Sequence, residues 1–191
     1  GWEISFLVYA SGLIVLALYL LFVPYGKEEK HHEVHQEGKG LTAAQWFLTI
    51  GLALVAAVIV LTNVVINVRV PGLVEKSGMG SVQTAGLILS SMQLIGIAAG
   101  LSFAPLLHYF KENLLTVAGV VFGFTAIMIG LAPNLLLLSV VTIASGFVYS
   151  VSLTSIFHIL SERIPSKSLN QATSIVILGC SAGATATTFF L

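Results

Sequence analysis

Charge is what this chain has least of. Asp, Glu, Lys and Arg together make up 8% of its 191 residues, where a soluble domain carries about a quarter. That scarcity leaves too little to build a basic face for nucleic acid, and the formal net charge of zero adds no argument for one. Cysteine is scarcer still. Cys180 stands alone, so no disulfide can form within the chain and the redox compartment goes unread. What the chain has instead is apolar length, with hydrophobic residues at 57%.

The apolar residues fall into six runs: 3–23, 42–68, 84–107, 114–131, 135–160 and 172–191. No Asp, Glu, Lys or Arg lies between the first and last residue of any run. A helix crosses a hydrocarbon core in ~20 residues at ~1.5 Å rise, so each run is long enough to span. Lipid offers no hydrogen bonds, and backbone donors and acceptors must pair within each helix. The expected fold is therefore all-α: a polytopic transmembrane helical bundle of six spans. The chain begins with Gly1-Trp2 rather than Met and stops at Phe189-Phe190-Leu191 without a polar flank, which predicts a piece of a longer protein. Glu3 and the length of the first run argue against a signal peptide.

Loop charges predict the orientation. Lys27, Lys30 and Lys39 lie in the segment 24–40, Lys111 before the fourth run, and Arg163 and Lys167 after the fifth. The opposite loops receive only Arg69 and Lys76. Six against two is a positive-inside signal that places residues 24–40 in the cytoplasm. That segment, PYGKEEKHHEVHQEGKG, is the one long polar stretch and reads as a linker. Pro71-Gly72, Ala132-Pro133-Asn134 and Ile164-Pro165-Ser166 are expected to end the second, fourth and fifth runs. Small residues within the spans (Gly86, Ser90, Gly96, Ala99 and Gly100; Ala144, Ser145 and Gly146; Gly179, Ser181, Ala182 and Gly183) are expected mainly to let helices approach closely.

The order of these elements resembles the major facilitator superfamily. A Gly1-Trp2 start leads into a run with Phe6, Tyr9 and Gly12 that ends at Pro24, followed by a charged linker and short-looped helices. The stretch Gly100-Leu-Ser-Phe-Ala-Pro105-Leu-Leu-His108-Tyr-Phe110-Lys111 sits where that family carries the second copy of its Gly-rich loop motif. Glu162-Arg163-Ile164-Pro165, then Asn170-Gln171-Ala172, Ser174, Gly179 and Gly183, resembles the approach to its eleventh helix. The resemblance implies helices six to eleven of twelve: residues 1–23 as the last helix of the N-terminal half, 24–40 as the inter-half linker, and 41–191 as the C-terminal half lacking its final helix. It implies secondary active transport of a small solute by alternating access, proton-coupled efflux or uptake included, with the missing N-terminal half as a partner. The chain departs from the motif at His108-Tyr109 and Lys111-Glu112-Asn113, where the family's stronger copy has Asp-Arg and Gly-Arg-Arg. The salt-bridging gate of that motif is therefore not expected here.

Polar residues inside spans are the site candidates, because lipid makes them costly without a partner or a task. Asn63 and Asn67 are four apart on one helix face. Gln93 lies mid-span in the third run, with Gln83 and Ser90 near it. Ser145, Tyr149, Ser152 and Ser155 recur every three or four residues in the fifth. These are the candidates for a solute cavity, a Tyr at mid-membrane being able to stack on a ligand and still hydrogen-bond. The alternatives are an amide clamp between helices for the asparagines and back-bonding to the helix's own carbonyls for the serines. Arg69, Pro71, Gly72 and Gly100 are the gating candidates.

No carboxylate or lysine lies deep in a span, so a proton-coupling group would belong to the other half. His108 and His158 sit at helix ends, where they complement the helix dipole. His31, His32 and His35, with Glu28 and Glu33, could hold a metal if helical, but a solvated tract without rigid support is more often merely polar. No metal or cofactor is expected. An intramembrane serine protease is the enzyme rival, through Ala144-Ser145-Gly146. It fails because His158 is on the same helix, roughly 20 Å along the axis from Ser145. A channel or a non-transporting scaffold is the remaining alternative. The chain is expected in a cell membrane, in contact with lipid and a small solute and not with nucleic acid.

Overall fold

A computed structural model of the protein describes residues 41–189. The predicted first span (3–23), the linker (24–40) and its His31–His32–His35 tract lie outside the described residues. Within them, five α-helices follow one another: α1 (Ala43–Lys76), α2 (Val82–Phe110), α3 (Leu114–Gly130), α4 (Leu135–Arg163) and α5 (Ser166–Ala186). Two 3-10 turns, Lys111–Asn113 and Thr187–Phe189, complete the described chain, which contains no strand.

The starts of these helices are written in their caps. Thr42 and Gln45 form a capping box, the Thr42 backbone N–H donating to Gln45 Oε1 at 3.0 Å while the Gln45 N–H donates to Thr42 Oγ1 at 3.4 Å. Ser81 accepts from the Thr84 N–H at 3.3 Å, and Asn134 from the Leu137 N–H at 2.8 Å. Pro165 stands at the N-cap of α5, where its missing donor costs nothing. Between α2 and α3 the chain turns at Lys111, a non-glycine residue with φ 49°.

Four helical stretches are long and apolar enough to cross a membrane, and one of them, Val82–Gly130, contains this turn. It comprises two helices, α2 and α3, that run in opposite directions. Met92 of α2 meets Gly146 of α4, Gly96 meets Ser150, and Phe103 stacks edge-on against His158 at 5.8 Å between ring centroids, so α2 and α4 are parallel. Phe122 of α3 faces Tyr149 at 6.1 Å, and the short 131–134 connection makes α3 antiparallel to α4. On the other side, Gly179 and Gly183 of α5 abut Ala53 and Ala57 of α1, which makes α1 and α5 parallel. The chain therefore alternates in direction through all five helices.

Glycines make these seams. A Cβ on Gly146 would strike the Met92 carbonyl oxygen, and one on Gly183 the Ala57 carbonyl oxygen. Without a hydrophobic drive between helices in lipid, this backbone-to-backbone approach is the available source of packing energy. α1 and α4 also touch each other, with α5 against α1 and both α2 and α3 against α4. Ala56, Val70, Val74, Met92, Leu138, Ile156, Leu160 and Val176 are almost wholly buried at these contacts.

Two expected boundaries were wrong. Pro71-Gly72 does not end the second run: α1 continues through Pro71 to Lys76. Interior proline removes one backbone bond and crowds the preceding turn, at ~3 kcal/mol. Val70 and Val74, both fully buried, hold the last two turns against the core in spite of it. α5 begins at Ser166, six residues before the apolar run, because helix formation outlasts the part of a helix that faces lipid.

Candidate functional site

The predicted site residues do not converge on one place. On α1, Asn67 donates its amide to the Asn63 carbonyl oxygen at 2.8 Å and to Asn63 Oδ1 at 3.0 Å. The pair is joined along one helix, not between helices. Asn63 is 7% exposed, and its own amide nitrogen is buried with no partner among the described residues. A buried donor left unpaired is costly, so this amide is available to any group that reaches it.

On α4 the hydroxyls are already committed. Ser145 donates to the Thr142 carbonyl at 2.7 Å, Ser152 to Val148 at 2.8 Å and Ser155 to Val151 at 2.8 Å. Ser145 and Ser152 are fully buried. This is the back-bonding arrangement of serine in apolar helices. The Ser145 hydroxyl thus donates to a backbone carbonyl and, among the described residues, to no side-chain base. Thr142, which the sequence did not single out, is fully buried with its hydroxyl unpartnered among the described residues. Tyr149 is half-buried, with its ring tilted against Phe122 of α3.

Gln93 has the opposite setting. It is exposed on α2, and so are Gly86, Ser90 and Gly100, spaced along one side of the helix at three- and four-residue steps through Ile97. Added Cβ atoms on Gly86 and Gly100 would meet nothing within 4 Å. A comparable strip runs along α5, where Gln171, Ser174, Ser181 and Thr185 are exposed at the same spacing through Leu178. Sequence reading named Ser174 and Ser181 but missed Gln171 and Thr185 as members of a face. The 3-4-3-4 spacing of the α5 strip was the available signal.

Of the gating candidates, Arg69 is exposed near the end of α1, and it lines an apolar trough of about 440 Å³ between α1 and α3 with Thr62, Val65 and Ile129. Pro71 and Gly72 are half-buried within the continuing helix, and Gly100 lies on the open side of α2. At the opposite end of the bundle, the 111–113 turn carries an ion pair. Arg163 Nη2 lies 3.4 Å from Glu112 Oε1 and ties the turn to the end of α4. His158 Nε2 lies 3.5 Å from Glu162 Oε1 on the same helix. Both pairs are solvent-accessible, so each is worth under ~1 kcal/mol. Among the described residues there is no cluster of three His, Cys, Asp or Glu side chains able to hold a metal.

Alternating apolar helices, joined by short turns and seamed by glycine on backbone, define an integral membrane protein of the helical-bundle class. The family model of the Major Facilitator Superfamily matches residues 1–188, so the chain belongs to that superfamily of transporters. No curated protein and no solved structure matches it.

Proposed function

We propose that this chain forms part of a secondary active transporter that carries a small solute by alternating access, with the open faces of α2 and α5 lining the path. Family membership supports transport, and the observation that carries the assignment of the path is Gln93. An exposed amide with no hydrogen-bond partner among the described residues is poorly suited to lipid, and a solute or a water-filled cavity satisfies it. The polar strips on α2 and α5 would face a second helical half, with solute held between the halves near the membrane midplane. Asn63, Asn67 and Tyr149 lie on the central pair α1 and α4, and would add amide and phenol contacts. Ser145 and Ser152 would act in packing. The trough beside Arg69 and the proline-weakened end of α1 would serve the gate on that side. The end bearing Lys111, Arg163 and Lys167 is read as cytoplasmic, and the membrane as the cell membrane.

Substituted-cysteine labelling tests this without knowledge of the solute. In a Cys180→Ser background, Gln93→Cys in the membrane-embedded protein should react with a charged, membrane-impermeant thiol reagent. Leu94→Cys, one residue on and 66% exposed toward the apolar side, should not. Equal protection of both would show that Gln93 faces lipid and would remove α2 from the path.

A further inference from the structure

Among the described residues, two buried side-chain atoms lack a hydrogen-bond partner: Nδ2 of Asn63 on α1 and Oγ1 of Thr142 on α4. They lie at one depth in the bundle. Phe122 of α3 meets Tyr149 of α4 at 6.1 Å between ring centroids. Because α3 and α4 are antiparallel, two turns toward the 131–134 connection lead from Phe122 to Ile129 and from Tyr149 to Thr142. Ile129 in turn lines the trough beside α1 with Thr62, Val65 and Ile66, which bracket Asn63. α1 and α4 touch directly. Ile59 and Ile66 near Asn63, and Leu138 near Thr142, belong to one buried apolar core.

Neighbouring bonds leave both atoms uncommitted. Asn63 Oδ1 accepts from Asn67 Nδ2 at 3.0 Å, which turns the other amide atom, Nδ2, away from Asn67. On α4, Ser139, Ser145, Ser152 and Ser155 all donate to carbonyls of their own helix. Threonine can make the same bond, yet the Thr142 hydroxyl does not. Neither atom has surface open to water, so a bridging water has no room beside them.

From this juxtaposition we propose that α1 and α4 have a second packing, in which the Asn63 amide nitrogen donates to the Thr142 hydroxyl oxygen. The pair is a latch, open in this conformation and closed in the other. An amide N–H donates and a hydroxyl oxygen accepts, so the two atoms are complementary without any change of charge. Each is costly while buried and unpaired, and one bond between them satisfies both. Side chains that bond across helices in a membrane favour the packing that joins them. The shift required is between two helices already in contact. The latch stands whether or not the open faces of α2 and α5 line the solute path.

A double-mutant cycle on the folding equilibrium of the full-length protein in mixed micelles tests the latch. Thr142→Val keeps the shape of the side chain and removes its hydroxyl. With Asn63 present, this change should lower the folded-to-unfolded ratio about fivefold, the scale of one net hydrogen bond. In an Asn63→Leu background the same change should leave the ratio unaltered or raise it, because the hydroxyl then has no partner to lose. The conformation described above, taken alone, requires a different result. Removing an unpartnered buried hydroxyl would raise the ratio in both backgrounds. A rise in both would therefore overturn the latch. So would an equal fall in both, which would mean that Thr142 bonds only its own helix. If Asn63→Leu does not fold, the sign of the Thr142→Val effect decides: a fall supports the latch, and an unchanged or raised ratio overturns it.

Discussion

The two sides of α2 carry similar residues and meet opposite fates. On one side Met92 is buried against Gly146, and Gly96 lies so near Ser150 that an added Cβ would come within 2.8 Å of the serine oxygen. On the other, Gly86, Ser90, Gln93 and Gly100 have the same small and polar character but are exposed. Small residues therefore do two jobs in this bundle. Where a neighbouring backbone arrives they are seams, and where none arrives they keep a face low and polar. Only the second kind is free to meet a solute or another half of a transporter.

The largest expected effect comes from filling a seam. Gly146→Leu would drive its Cβ into the Met92 carbonyl, which is backbone and cannot rotate away. Overpacking against side chains already costs ~1–3 kcal/mol, and a backbone clash costs more. The variant should be lost from the folded fraction in size-exclusion chromatography. Normal yield and melting temperature would mean that α2 and α4 are not in close parallel contact.

Gly100→Leu makes the same chemical change on the open side. Nothing lies within 4 Å of an added Cβ, and leucine favours helix over glycine by up to ~1 kcal/mol. Its melting temperature should hold or rise slightly. Transport by the full-length carrier should nonetheless fall by an order of magnitude or more, because a bulky side chain on a closing face prevents closure. Normal flux would place that side of α2 against lipid.

A smaller effect tests the asparagines. Asn67→Leu removes both bonds to Asn63, at ~0.6–2 kcal/mol for such pairs in membranes, and frees Asn63 Oδ1 in a setting where its amide nitrogen is already unpartnered. A melting temperature reduced by a few degrees is expected. An unchanged value would mean that the pair forms only part of the time.

The bundle was more legible in the sequence than its site, for a physical reason. Uncharged apolar runs located the described helices, and predicted starts at 42, 84, 114 and 135 agree with observed helices within two residues. The ends went astray at Arg69–Lys76 and at 166–171, where polar residues continue a helix beyond the apolar stretch. Hydropathy reports what faces lipid, while caps and backbone report helix. The faces were harder, because α1 and α4 are apolar nearly all round and carry no stripe to say which side is inside. Gln93 and Ser152 look alike on that ground; one is exposed and the other buried only because α4 is central and α2 is not.

Ser152→Ala is the smallest expected effect and the sharpest use of the comparison. The hydroxyl is fully buried and donates to the Val148 carbonyl at 2.8 Å, a carbonyl positioned to accept the helix's own i+4 backbone bond as well. Removing it takes away one redundant bond and leaves a space smaller than a methyl group, so stability should change by no more than ~0.5 kcal/mol. Flux should be unchanged, in contrast to Gly100→Leu. If Ser152→Ala lowers transport while leaving the melting temperature alone, the hydroxyl must leave its own helix and reach the solute in some other conformation. The division between committed and available polar groups would then hold for this conformation alone, and the path would run along α4 as well as along the open faces of α2 and α5.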